Sequence, residues 1–110
     1  MLLRAIVAVT IAMQRLSIDS YVLDALMPDL VRHDHRPSAF LVYLYLWRRT
    51  ASASRTTVAS YQMMSDGTGL SKRAVQEAVQ LLHRRRFIDV TRKHATATPV
   101  FALRCHWRER

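Results

Sequence analysis

The sequence predicts a mainly α-helical domain that carries a small β-hairpin. Apolar residues recur at helical spacing in three separate stretches, and two short β-like runs, 87–92 and 98–103, follow the last of them. The only two glycines of the chain, Gly67 and Gly69, lie directly before the last helical stretch. Since glycine is used where the backbone needs a positive φ or a close approach, this pair predicts a tight turn between two helices.

The composition fits one globular domain with a strong and uneven positive charge. Half of the 110 residues are hydrophobic, and the formal net charge is +9. Residues 1–70 hold seven arginines and five acids, whereas residues 71–110 hold ten basic and three acidic residues, so the two parts carry +2 and +7. A basic excess in one part favours a polyanionic partner, either nucleic acid or an acidic membrane surface. The single cysteine, Cys105, excludes an internal disulfide and indicates a reducing compartment, so we expect a cytoplasmic protein.

The first thirteen residues, MLLRAIVAVTIAM, are apolar but too few to span a bilayer. The residues that follow them make a poor cleavage region, which disfavours a secretory signal peptide. A buried strand or helix, a dimerisation segment, and a start codon placed too far upstream stay open as interpretations. We treat residues 1–31 as an N-terminal apolar or helical extension and as a possible dimerisation segment.

Two helices are predicted in the first half of the chain. Apolar residues at helical spacing predict one helix from Ser17 to Val31, with a kink or restart at Pro28 because proline cannot donate to the preceding turn. After a polar connection at 32–37, residues 38–49 include nine consecutive apolar or aromatic side chains. A segment without a polar face predicts a central helix that is covered on most sides.

A short helix is expected next, capped by Thr56 or Thr57 and ending at the two glycines. In this interpretation Val58, Tyr61 and Met64 share one face of the helix.

Ser71 is expected to cap a last helix that extends to about residue 85. Its apolar stripe at i, i+3, i+4 and i+7 consists of Val75, Ala78, Val79 and Leu82. The two β-like runs then form a hairpin with a basic tip.

The stretch from Met64 to Leu82, MSDGTGLSKRAVQEAVQLL, followed by RFI at 86–88, resembles the turn and recognition helix of bacterial winged-helix transcriptional regulators. Related plasmid replication-initiator domains show a similar pattern. The resemblance implies a winged helix-turn-helix, a three-helix core plus wing, at residues 38–104, with an extra N-terminal helical segment and a basic tail at 105–110.

The sequence departs from the family at Arg86, where glycine is common. A left-handed helix cap at this arginine would cost about 1 kcal/mol relative to glycine.

The resemblance also implies that helix 71–85 enters the major groove of DNA and that the wing, 92–95, lies on the adjacent backbone or minor groove. Lysine and arginine can pair with guanine, and glutamine can pair with adenine. The predicted DNA-binding residues are Ser71, Lys72, Arg73, Gln76, Glu77, Gln80, Arg92, Lys93 and His94. The alternative is a solvated helix face on which Arg73 and Glu77 form an i,i+4 ion pair.

We therefore expect a sequence-specific protein that binds double-stranded DNA, a bacterial transcriptional regulator acting as a homodimer. Two alternatives stay open: a winged-helix module for protein interaction in a larger assembly, and a DNA-binding domain for plasmid or phage replication initiation.

No enzyme activity, cofactor, metal, small-molecule ligand or membrane is expected. Asp19, Asp24, Asp29 and Asp34 recur every five residues, which would disperse them around an α-helix instead of pairing them for acid–base catalysis. The histidines at 33 and 35 and the Cys-His pair at 105–106 lack the spacing of a zinc site.

Overall fold

The computed structural model describes residues 14–51 and 55–108, and the predictions for residues 1–13 lie outside this part of the chain. The helices are α1 (residues 20–33), α2 (Pro37–Thr50), α3 (Tyr61–Thr68) and α4 (Lys72–Arg84). The strands are β1 (Thr56–Val58), β2 (Ile88–Thr91) and β3 (Val100–Leu103), and a 3₁₀ helix (His106–Arg108) comes last. The mainly α fold with a β-hairpin after the last long helix is as predicted.

Helix α1 contains two five-residue π-helical segments, Val22–Leu26 and Asp29–His33. After each segment, the next backbone N–H donates to the carbonyl of the segment's first residue, five positions back. The second segment begins directly after Pro28, whose φ of −64° suits a helix start. The predicted helix with a restart at this proline is present, although its π-helical form was not foreseen.

Side chains of α1 form rows in which burial repeats at every fourth residue, since positions i and i+4 share a helix face. Val22, Leu26 and Leu30 form the buried row. Leu23, Met27 and Val31 form the neighbouring row, and all three are exposed, Leu23 by 44% and the other two by 39%.

Helix α2 is the central element of the core. Its buried side chains are Ala39, Phe40, Val42, Tyr43, Leu46 and Trp47. Burial raises the pKa of the Tyr43 phenol well above its ordinary value of 10.0. Leu41 is exposed and Tyr45 is half-buried, so one side of the helix is less covered than its apolar sequence predicts.

The sheet has three antiparallel strands in the order β1-β3-β2, so the hairpin gains a third strand. Thr57 lies opposite Phe101 in β3, and Val90 of β2 lies opposite the same phenylalanine. The prediction that Thr56 or Thr57 caps a helix is wrong, because these β-branched residues form a strand along the open edge of β3. Val58 is accordingly an exposed strand residue and does not belong to a helix face.

Residues at the start of α1 and just before it contact the tail after β3. We call this contact, formed by Asp19, Tyr21, Trp107 and Arg108, the terminal clasp. The Nε and one terminal nitrogen of the Arg108 guanidinium donate to the Asp19 carboxylate, at 2.6 and 2.7 Å. The Trp107 indole also donates to Asp19 and stacks on Tyr21, with ring centroids 4.5 Å apart. The hydrogen bond from Arg108, helped by the one from Trp107, lowers the pKa of Asp19.

No helix in residues 14–51 and 55–108 has the length and apolar character needed to cross a membrane.

Candidate nucleic-acid interface

The two glycines before α4 have different roles. Gly69 ends α3 with a φ of 81°, and its N–H donates to the Ser65 carbonyl at 2.9 Å. This left-handed residue is the predicted sharp turn. Gly67 was expected to end the helix together with Gly69, but it lies inside α3. An added Cβ there would overlap the Tyr45 ring of α2. One glycine therefore bends the chain, and the other lets α3 approach α2 closely.

Side-chain hydrogen bonds hold the turn between α3 and α4. The Ser65 hydroxyl donates to the Leu70 carbonyl at 2.6 Å, and the Thr68 hydroxyl accepts from the Leu70 N–H at 3.2 Å. Both partners of Leu70 come from α3, so the residue that leads into α4 has a fixed position. Leu70 is itself partly buried against the core.

Helix α4 begins as predicted. The Ser71 hydroxyl accepts from the Ala74 N–H at 3.1 Å, which satisfies one of the free donors of the first turn. The predicted stripe of Val75, Ala78, Val79 and Leu82 is buried, and Leu81 is buried beside it. This apolar face fixes which side of the helix points outward.

The outward face of α4 consists of Lys72, Arg73, Gln76 and Gln80, all of them exposed. The Arg73 side chain is 88% exposed, and it forms an i,i+4 ion pair with Glu77 at 3.4 Å. The Glu77 carboxylate also accepts from Arg36, the residue before α2, at 3.3 Å. Exposed pairs of this kind contribute about 0–1 kcal/mol, so they do not hold Arg73 against a stronger partner.

Of the predicted residues on α4, Glu77 has the most local contacts. It lies between Arg36 and Arg73, whereas Lys72 on the same face has no ion pair among the described residues.

The wing places its three predicted residues at the surface. Arg92 donates to the Ala97 carbonyl at 2.9 Å and to the Tyr61 hydroxyl at 3.2 Å, which joins the wing to the first turn of α3. Lys93 is exposed at the tip. His94 hydrogen-bonds to Thr96 through Nδ1 at 3.1 Å.

The three arginines at the end of α4 have separate environments. Arg84 is exposed, whereas Arg85 is half-buried and donates to two carboxylates of α1 and its following turn, Asp29 at 2.8 Å and Asp34. The hydrogen bond to Asp29, more than any other contact, raises the pKa of Arg85. The ion pairs from Arg85 to α1 were not predicted from the sequence.

The five-residue spacing between Asp29 and Asp34 brings their carboxylates together at the second π-helical segment. Asp34 and Asp29 converge on the same guanidinium, since a five-residue step matches the i→i+5 hydrogen bonding of this helix. The expectation that this spacing disperses the carboxylates is therefore wrong for these two. Burial alone would raise the pKa of Asp34, but hydrogen bonds from Arg85 and His33 outweigh it and hold the pKa below the ordinary 3.8.

Arg86 adopts the left-handed conformation, with a φ of 62°. The Phe87 N–H donates to the Leu82 carbonyl and the Arg86 N–H donates to the His83 carbonyl, which together form a Schellman cap. The helix thus ends as it would with glycine, and the strain is tolerated. The chain then enters β2 in the geometry of a wing.

A basic cleft of about 840 Å³ lies between residues 15–17, the end of α2 and the segment after β3. Its arginines include Arg104, which pairs with Asp89 at 3.4 Å, and Arg108, which belongs to the terminal clasp. No sequence pattern indicated this cleft, because its walls come from four distant parts of the chain.

Comparison with known proteins gives one match. Residues 36–88 match the family model described as a helix-turn-helix domain. This range begins just before α2 and ends at the first residue of β2, so it contains α3, the glycine turn and α4. The searches of curated proteins and of solved structures found no match.

Proposed function

Because residues 36–88 form a helix-turn-helix domain and β2 and β3 add a wing to it, we propose that the protein binds double-stranded DNA in a sequence-specific way. In this proposal α4 is the recognition helix in the major groove, and the wing lies on the adjacent backbone or minor groove.

The outward face of α4 is the observation that carries the proposal. The face is exposed, it is rich in the side chains that read base edges, and its position is fixed from behind by the buried stripe. Arg73 and Lys72 suit guanine, and Gln76 and Gln80 suit adenine. Each good bidentate contact gives about 1–3 kcal/mol of discrimination between bases.

Phosphate contacts supply the remaining affinity. Backbone N–H groups in the first turn of α4 and the cations of the wing are suited to phosphate oxygens. If about five phosphates are neutralised, the logarithm of the binding constant falls with the logarithm of the salt concentration with a slope of roughly −4 to −5.

We further propose that the protein acts as a homodimeric transcriptional regulator, whose effect comes from occupying its DNA site. A module for protein interaction would present apolar residues on the outward face of α4. That face carries lysine, arginine and glutamine, which favours the DNA-binding proposal over this alternative. A role in replication initiation would use the same contacts to DNA.

The experiment begins by selecting the preferred duplex from a random pool with the purified full chain. Binding of the selected duplex and of a scrambled duplex is then measured by fluorescence anisotropy at two salt concentrations. We expect Arg73→Ala to weaken binding to the selected duplex about ten- to hundred-fold and to weaken binding to the scrambled duplex much less.

Arg48→Ala is the matched control, since it removes an exposed arginine from α2, outside the proposed interface. Equal losses on both duplexes after Arg73→Ala would overturn base reading by that arginine. A chain that selects no sequence from the pool would overturn the sequence-specific function.

A further inference from the structure

We infer that α1 is the contact between two copies of this chain, packed antiparallel around Met27. The inference rests on the homodimer of the proposed function and names the surface that forms it.

The exposed row of α1 is apolar along its whole length. Leu23, Met27 and Val31 lie beside the buried row and remain 39–44% exposed. Asp29 in another row contacts Arg85 of α4, so the exposed row faces neither the core nor the recognition helix. A monomer gains nothing from three large apolar side chains aligned at the surface, whereas a second copy would cover them.

The charges beside this row are arranged for a two-fold axis. Asp24 and Arg32 follow Leu23 and Val31 in the sequence and lie in the next row, one at each end of the helix. If two α1 helices pack antiparallel with the axis near Met27, Leu23 faces Val31 of the partner subunit. Asp24 then lies beside Arg32 of the partner subunit, and the same pair repeats at the other end.

Asp24 and Arg32 cannot satisfy each other within one chain. They are eight residues apart, about two helical turns, whereas side-chain pairs on a helix surface meet when they are three or four residues apart. Neither forms an ion pair among the residues that the structure describes. A parallel arrangement would place like charges together, so the charges favour the antiparallel pairing.

The apolar row is smaller than a standard interface of about 800 Å² per partner. We therefore expect weak association of the free protein, with a dissociation constant between about 10 µM and about 500 µM, and tighter association when both copies are held on neighbouring DNA half-sites.

The test is sedimentation equilibrium of the full chain between about 10 µM and about 500 µM, a range that brackets this constant. Met27→Glu places two carboxylates near the two-fold axis, and we expect it to weaken dimerisation at least about tenfold. Met63→Glu is the matched control, because Met63 is 41% exposed on α3 and changes the charge equally. Thermal unfolding of both variants checks that each is folded.

A charge exchange tests the antiparallel register. Asp24→Arg should weaken dimerisation, since it brings two arginines together at each end, and the double variant Asp24→Arg/Arg32→Asp should restore it. Failure of the double variant to restore association would overturn the antiparallel pairing.

A chain that stays monomeric over the whole range would overturn the inference and leave the row to residues 1–13 or to another protein. An equal loss in Met27→Glu and Met63→Glu would do the same, by placing the contact elsewhere. Binding of folded Met27→Glu to a single half-site duplex is measured in parallel, because the proposed function predicts that this binding is unchanged. A wild-type chain that binds the half-site but does not dimerise would contradict only the α1 contact. A chain that dimerises but does not bind the half-site would contradict only the proposed function.

Discussion

An arginine lies near each end of α4, and the two have opposite environments. At its start, Arg73 projects into solvent and has only a weak pair with Glu77. At its end, Arg85 is held by Asp29 and Asp34 and lies over the Phe87 ring, 5.1 Å from the ring centre. One arginine is exposed and only weakly paired, and the other joins α4 to α1.

This difference shows that the net charge of a segment does not say where a polyanion binds. Residues 71–110 carry an excess of +7, but the arginines at 85 and 108 are paired with carboxylates from the first half of the chain. The positions of those aspartates on α1 and before it decide which cations remain accessible.

The largest expected effect comes from breaking the contact at the end of α4. Arg85→Ala leaves Asp34, whose side chain is 11% exposed, without its main partner. We expect the free energy of unfolding to fall by about 2–3 kcal/mol, less than for a fully buried pair because the arginine is partly solvated. Urea unfolding followed by circular dichroism measures the change.

Arg84→Ala is the control for this prediction, since it removes the neighbouring exposed arginine. We expect a change within about 0.5 kcal/mol for the control. Equal destabilisation by the two variants would mean that the pairing with α1 contributes little and that the dipole effect dominates.

Acid should weaken the same contact. The pKa of Asp34 and the pKa of Asp19 are lowered in the folded protein, so their ion pairs contribute fully above the ordinary value of 3.8. This contribution is lost as the pH falls below that value and both carboxylates become protonated. Unfolding free energies measured from pH 6 to about pH 2 should therefore decline more steeply for the wild type than for Asp34→Asn.

An intermediate effect is expected at Arg86, which lies neither on the outward face of α4 nor in an ion pair with α1. Because its φ is positive, Arg86→Gly should raise the free energy of unfolding by about 1 kcal/mol. Thermal unfolding checks this, and Arg84→Gly, within the helix, should destabilise the protein instead. A loss of stability in Arg86→Gly would show that the arginine side chain stabilises the fold by more than the backbone strain costs.

The smallest effect is expected at the wing tip. Lys93→Ala should leave stability unchanged, weaken binding to selected and scrambled duplexes alike, and reduce the salt slope by about one unit. Anisotropy titrations over a range of salt concentrations measure the slope. Arg92→Ala is the useful comparison, because Arg92 also contacts Tyr61 and its removal should loosen the wing.

The sequence predicted the helix-turn-helix well because each of its elements has a local signal. The serine cap of α4, its buried stripe and the left-handed Gly69 follow from residue types at fixed spacing. Strand β1 was missed because three residues are too few to show a period, and two threonines before a helix also look like caps.

Other features depend on contacts between distant parts of the chain. The apolar pattern of α1 predicted a helix, but π-helical and α-helical spacing differ too little to be separated over two turns. The choice between Arg84, Arg85 and Arg86 as the paired residue depends on where α1 packs against α4. The reason for Gly67 became clear only when the Tyr45 ring was seen beside it.

The terminal clasp has a consequence for the order of folding. Its Asp19–Arg108 contact joins positions 89 apart, so nearly the whole chain must be ordered before the two residues meet. Contacts that close so long a loop form late and open early, because their entropic cost is compensated only once the rest of the chain is in place. Amide hydrogens in the last 3₁₀ helix should therefore exchange with solvent well before those of α2, while α4 is still intact.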